Sequence, residues 1–154
     1  MLQIAQTKKP VVSKLFMSEE DLYGIDVEWP VFNKNGEWKG SLSILIEPYE
    51  FFGKIIKENL KNTDYEIWLM QQDGTIIYDI DRVEINANLF EEGIYSDYKE
   101  LQDLGKQIIN QKEGHGTYTY LETGSNVAVS KEAYWSTLNF QGNNWKVVIT
   151  RMLK

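Results

Sequence analysis

Residues 25–32 and 39–46 alternate apolar and polar side chains on either side of Asn35-Gly36. Asn-Gly supplies the positive φ angles of a tight hairpin turn, so the pattern predicts two antiparallel strands. In that register Trp29 opposes Leu42, Val27 opposes Ile44 and Ile25 opposes Ile46, which gathers the apolar pairs on one face. The other face carries Glu28 opposite Ser43 and Asp26 opposite Leu45. A second hairpin is predicted around Asp73-Gly74, joining 65–71 to 75–80, with Met70 opposite Ile77 and Trp68 opposite Asp79. A third turns at 142–144 and joins 133–140 to 145–150, where Trp145, Val147 and Ile149 alternate with Lys146, Val148 and Thr150. Residues 117–121 predict one further strand, with Tyr118 and Tyr120 on the same face.

Two stretches switch to helical spacing. Pro48 suits a first helical turn, where its missing N–H costs nothing, and Phe51, Phe52, Ile55, Ile56 and Leu60 follow it at helical intervals. The second helix is predicted over 97–110, with Asp97 and Glu100 as a capping box and Tyr98, Leu101, Leu104 and Ile108 as its buried stripe. Residues 81–95 lack sustained periodicity and predict a long excursion over one sheet face, of the kind that is usually functional. Strands joined mostly by hairpins, with helices between them, predict an α+β domain built on one antiparallel sheet of about five to seven strands with flanking helices. No internal repeat or linker interrupts the 154 residues, so a single domain is expected over 1–154 with its core at about 10–150.

Charge and composition narrow the function. A net charge of −7 disfavours nucleic acid and anionic membrane surfaces, both of which need clustered Lys and Arg. The absence of cysteine removes disulfides, thiolate metal sites and cysteine nucleophiles. No run approaches the roughly 18 apolar residues of a membrane span, so any membrane link is expected through an anchor outside this chain. Aromatic residues make up 13% of the chain, with five Trp and nine Tyr, a bias that suits sheets and ligand pockets.

The order of these segments resembles the Cache domain. The resemblance rests on 27–32, Asn35-Gly36 and 40–46, then on 65–71, 73–78 and Asp81, then on 86–89, and finally on 114–118, 129–135 and 145–148. It implies a PAS-like antiparallel sheet, extracytoplasmic, in a membrane-anchored receptor of the histidine-kinase or chemoreceptor type. The implied activity is binding of a small ligand (an organic acid, an amine or a similar metabolite) and conformational signalling. A homodimer is left open, and the alternative is a PAS-like structural or dimerisation module without ligand. The sequence departs from the family pattern in three places. Asn86 stands where the family loop begins with Gly. Leu45 stands where the amino-acid-binding branch carries Asp, and that branch's Arg and Trp-Tyr determinants for a ligand carboxylate have no evident match. Only about a dozen residues are available for the long N-terminal helix that usually precedes the sheet.

Chemistry-bearing residues point the same way. His115 is the one histidine, lies between two glycines and has no serine in a nucleophile elbow to serve. Asp79, Asp81 and Glu84 form the densest acidic group, but their spacing departs from the EF-hand loop. No catalytic centre, metal or cofactor is expected. Candidate ligand-binding residues are Asp26, Glu28 and Ser43 on the polar face of the first hairpin, and Trp68, Tyr78, Asp79, Tyr118 and Trp135 as an aromatic wall beside a carboxylate. Lys131 completes the set, either to offset that charge or to grip a ligand carboxylate. Trp29, Trp145 and Phe51 are assigned to packing.

Overall fold

The computed structural model describes residues 2–91, 93–121 and 127–153. In chain order the elements are helix α1 (Leu2–Thr7), strands β1 (Val11–Val12), β2 (Phe16–Met17), β3 (Tyr23–Phe32) and β4 (Trp38–Ile46), and helix α2 (Pro48–Asn59). Strands β5 (Glu66–Gln71) and β6 (Ile76–Tyr78), a 3-10 turn (Arg82–Glu84), helix α3 (Lys99–Asn110), and strands β7 (Glu113–Leu121), β8 (Ala128–Phe140) and β9 (Asn143–Met152) follow. The class is α+β, as expected. The strands, however, divide into two antiparallel sheets: a small one in which β1, β2 and β4 all pair with β3, and a five-stranded one in the order β6-β5-β9-β8-β7. Helix α2 separates them in the chain, and a helix between two hairpins lets each hairpin find its own partners. No described helix is long and apolar enough to cross a membrane.

Each face of the five-stranded sheet carries its own core. Side chains alternate along strands, so Trp68, Met70, Ala133, Trp135, Val148 and Tyr118 line one face beneath α3 and Leu89. Leu69, Ile77, Tyr78 and Trp145 line the other face, where Val12, Leu15 and Ile25 of the small sheet side close over them. Helix α2 adds Phe52 and Ile56 to this second core. Its Phe51 and Ile55 are exposed, which corrects the packing role expected for Phe51.

The first hairpin keeps the expected register from Ile25↔Ile46 to Trp29↔Leu42, with a shift between Val31 and Phe32 before the turn. Its far half projects from the body, so Trp29, Leu42 and Ile44 are about half exposed and Trp29 is not a core residue. The second hairpin departs from simple pairing. Leu69 opposes Tyr78 while Met70 opposes Ile76, which leaves Ile77 as a bulged residue. Tyr78, opposite Leu69, lies in the second core, away from Trp68. The third hairpin turns on Gln141-Gly142, both at positive φ, one residue earlier than expected.

Residues 85–90 run back alongside β6 and do not stand free as a lid. Ile76 N–H donates to Ala87 O, Asn86 N–H to Ile76 O and Leu89 N–H to Gly74 O, at 2.9, 2.9 and 3.0 Å. Asn86 adopts a left-handed φ of 71°, a conformation that asparagine tolerates. Gly74 holds a φ of +91°, and a Cβ there would stand 2.5 Å from the Phe90 ring. Gly74→Ala is therefore expected to lose about 1–3 kcal/mol in urea denaturation, through both backbone strain and displacement of Phe90. An unchanged midpoint would show that the 85–90 segment is not docked through this turn.

Helix α3 is tied to the sheet at both ends. It starts at Lys99 with Tyr98 as its cap, and no side chain caps it, so the expected capping box of Asp97 with Glu100 does not form. Glu100 instead accepts from the Thr119 N–H of β7 at 2.8 Å. At the other end the buried Lys146 ammonium donates to Gln111 O and Thr137 Oγ1, at 2.8 and 2.7 Å. A cation beside the last carbonyls of a helix also complements its dipole.

Candidate functional site

Strand alternation brings one row of chemistry to the α3-facing side of the five-stranded sheet. Glu66 and Trp68 come from β5, Tyr118 and Tyr120 from β7, Lys131 from β8 and Thr150 from β9, and Asp79 follows β6 directly. The pairs Glu66↔Thr150, Ala133↔Thr150 and Tyr118↔Lys131 stitch these positions across adjacent strands. Ile80, Asp81, Glu84, Leu89 and Tyr95 of the excursion, then Tyr98 and Leu101 at the head of α3, close over them. Between sheet and cover lies a cavity of about 250 Å³.

The electrostatics of this cavity are unbalanced. Four carboxylates (Glu66, Asp79, Asp81 and Glu84) line it against the single ammonium of Lys131, and Lys131 is already paired with Glu66. Burial works against the Lys131 charge, but the hydrogen bond and charge of Glu66 outweigh it and hold the ammonium pKa above its usual value. Asp79 has no such cation. Burial, then the nearby Glu84 charge, push its carboxyl up to about 7, against the help of one hydrogen bond. That bond comes from Asp81 N–H to Asp79 Oδ1 at 2.9 Å. Among the described residues no hydrogen bond reaches Asp79 Oδ2. Burial likewise raises Glu84, opposed by the hydroxyl of Tyr95, which donates to its Oε2. The phenols of Tyr95 and Tyr118 are both pushed up, first by burial and then by neighbouring charge, so both remain neutral donors.

Of the residues expected from sequence, Trp68, Asp79, Tyr118 and Lys131 meet at this cavity. Trp135 lies deeper in the same core, beyond the lining, and Tyr78 opposes Leu69, so strand alternation turns it to the opposite core, away from Trp68 and Asp79. Asp26, Glu28 and Ser43 belong to the small sheet. There the Ser43 hydroxyl donates to Asp26, and Glu28 is buried where β1 pairs alongside it. Asp26 and Glu28 line a separate recess of about 310 Å³ with Val11, Ser13 and Lys14, which shares no residue with the cavity. Two sheets in place of one account for the separation.

Glu66, Tyr120 and Thr150 were readable by parity, since each lies two residues from a neighbour on the same face. Tyr98 falls in the buried stripe expected of the second helix, whereas Tyr95 and Glu84 come from aperiodic chain, where no pattern assigns a direction. His115 sits inside β7, opposite Tyr134 and stacked on its ring at 5.9 Å between centroids. Among the described residues no group of three or more His, Cys, Asp or Glu is placed to hold a metal ion.

Known proteins agree with this architecture. The family of HK/GC/chemotaxis protein-like sensor domains matches residues 1–48. An extracellular ligand binding receptor from Desulfohalobium retbaense superposes with a TM-score of 0.72 at 32% identity, covering 97% of this chain and 24% of that one. The periplasmic sensory domain of the Campylobacter jejuni chemoreceptor Tlp1 gives 0.53 at 16% identity, over 93% of this chain and 47% of that one. The ligand-binding domain of the Pseudomonas aeruginosa amino acid chemoreceptor PctB, in complex with L-Arg, gives 0.63 at 13% identity, over 96% and 56%. The chain thus spans about a quarter of the first of these structures and about half of the other two. A search of curated proteins found no match.

Proposed function

We propose that this chain, a sensor domain of the extracytoplasmic Cache type by its fold and by the family match of its first 48 residues, works by reversible binding of one small molecule between its five-stranded sheet and the 79–98 segment. The observation that carries this reading is the cavity of about 250 Å³, which joins aromatic walls to buried ionisable groups. Small-molecule sites have that character: a mostly apolar concavity with a few polar groups that fix orientation. A spacer domain without ligand would gain stability by filling such a space with side chains.

Signal output follows from the cover. Residues 85–90 and α3 are pinned to the sheet, whereas Ile80, Asp81 and Val83 beside the cavity are exposed. A ligand that touches sheet and cover together favours the closed arrangement by its differential affinity for the two states. No group transfer or hydrolysis is required, and the domain acts as the sensing part of a membrane receptor.

Thermal shift against a panel of small metabolites tests this reading. A true ligand at a hundred times its dissociation constant should stabilise the fold by about 2.7 kcal/mol, which is several degrees for a domain of this size. Leu101→Trp, at the head of α3, should fill the cavity and abolish the shift while the protein stays folded. Hydrogen exchange in 79–98 should slow with ligand in the original protein alone. A panel with no shift, or a shift that Leu101→Trp leaves intact, would rule the cavity out.

A further inference from the structure

We infer that the cavity takes a small organic cation, an ammonium compound carrying a second hydrogen-bonding group, with Asp79 as its counter-ion and Thr150 as its second anchor. This rests on the binding reading above and names the ligand class for that same site. Two independent features point to it.

The first is the charge set. Lys131 forms its ion pair with Glu66, so Asp79, Asp81 and Glu84, the remaining carboxylates at the cavity, outnumber the one ammonium, whose charge reaches Asp79 and Glu84 only as a minor influence. Asp81 is exposed to water and its side chain accepts from Val83 N–H, and Glu84 is held by Tyr95. Among the described residues nothing bonds the second oxygen of Asp79. An anionic ligand would have to enter among these charges with the only ammonium already engaged. A cation relieves their repulsion and finds the rings of Trp68, Tyr118 and Tyr120 beside it, whose faces favour positive charge. Ile76, Leu89 and Leu101 on the walls suit a carbon skeleton and not a hydrated metal ion, in keeping with the absence of a metal-holding group among the described residues.

The second feature is Thr150. It is 1% exposed and lines the cavity, and among the described residues its Oγ1 has no hydrogen-bond partner. A buried hydroxyl without a partner costs free energy that an apolar side chain of the same shape would not. Valine fits the same volume, so a hydroxyl here implies a group that completes it. A ligand hydroxyl or second amine does so, and an α-amino acid is disfavoured because its carboxylate would lack a free cation.

Asp79 must be ionised to serve as counter-ion. It faces Glu66 from β5, Glu84 from the 3-10 turn and Lys131 from β8, with the neutral phenols of Tyr95 and Tyr118 alongside, and its carboxyl titrates near 7. Cation affinity should therefore fall up to about tenfold per pH unit below 7 and level off above it.

Three probes of one chain length decide the matter by isothermal titration and thermal shift: 4-aminobutan-1-ol, butane-1,4-diol and 4-hydroxybutanoate. The amine should bind, with the pH profile just given. Asp79→Asn should weaken it by about a hundredfold, and Thr150→Val, which keeps the fold, by about tenfold. Preference for the diol or the hydroxy acid would overturn the cation assignment and leave the binding reading standing. Amine binding that is indifferent to Asp79→Asn would overturn it equally. Silence from all three probes would overturn it as well, and the metabolite panel above then decides separately whether the cavity binds anything.

Discussion

Trp135→Ala is expected to remove about 3–5 kcal/mol of stability, the range for truncating a buried tryptophan, and to leave little folded protein at physiological temperature. The indole is 4% exposed and lies against strand β7 at two glycines. A Cβ on Gly114 would come within 2.4 Å of its ring, and one on Gly116 within 3.7 Å. The two glycines thus form a shallow seat that no smaller side chain fills, and alanine would leave a cavity under α3. Trp135→Phe is the informative companion. Nε1 is buried with no hydrogen-bond partner, so phenylalanine loses area but also removes an unmet donor, and a net cost under about 2 kcal/mol is expected. Guanidinium denaturation of the two variants checks both figures. Ligand-induced stabilisation should survive in Trp135→Phe, because the residue lies under the site and does not line it. Loss of that response at unchanged stability would return Trp135 to the pocket wall.

How far the sequence foretold this depends on which physical signal each residue carried. Hairpin registers were legible where a turn dipeptide and period-two alternation agreed, as at Ile25↔Ile46 through Trp29↔Leu42. They failed where one residue broke the alternation: the Ile77 bulge sets Ile76 and not Ile77 opposite Met70, and no local cue in Thr75-Ile76-Ile77-Tyr78 marks it. Beyond the bulge the expected register holds: Tyr78 opposes Leu69 and so belongs to the second core by alternation alone, while Trp68 and Asp79 share the cavity. The division into two sheets was illegible because alternation reports faces and not partners. Asp26, Glu28 and Ser43 shared a face, as read, but of the wrong sheet for the cavity. The two-residue strands β1 and β2 are too short to show any period. Thr150 was placed on the correct face by parity, yet its unsatisfied hydroxyl depends on what surrounds it, and only packing reveals that.

Between about pH 4 and pH 7 the protein should lose stability as pH rises, and Asp79→Asn should flatten that slope. The sign follows from linkage. Asp79 titrates at about 7 in the fold against the 3.8 of an ordinary aspartate, so between these values the folded state binds a proton that the unfolded state releases. Its stabilising contribution is complete below about pH 4, declines through the interval and is gone above 7. A difference of that size corresponds to as much as about 4 kcal/mol. Glu84, also raised, acts in the same direction. Asp73 is lowered by its pairing with Lys14 after burial has opposed it, so its contribution is lost only in stronger acid and does not mask the trend. Melting near pH 5 and near pH 8 measures the difference. The original protein should melt several degrees higher at the acid end, and Asp79→Asn, which carries no charge to desolvate, should match or exceed the original at the alkaline end. A protein that instead gained stability from pH 5 to pH 8 would mean that Asp79 is ionised at little cost, with water or a cation reaching it freely. The cost of holding an unpaired carboxylate at neutral pH is thus the same quantity that a bound cation would relieve. A site that strains the empty fold in this way binds its ligand by removing the strain, which couples occupancy to the arrangement of the 79–84 segment.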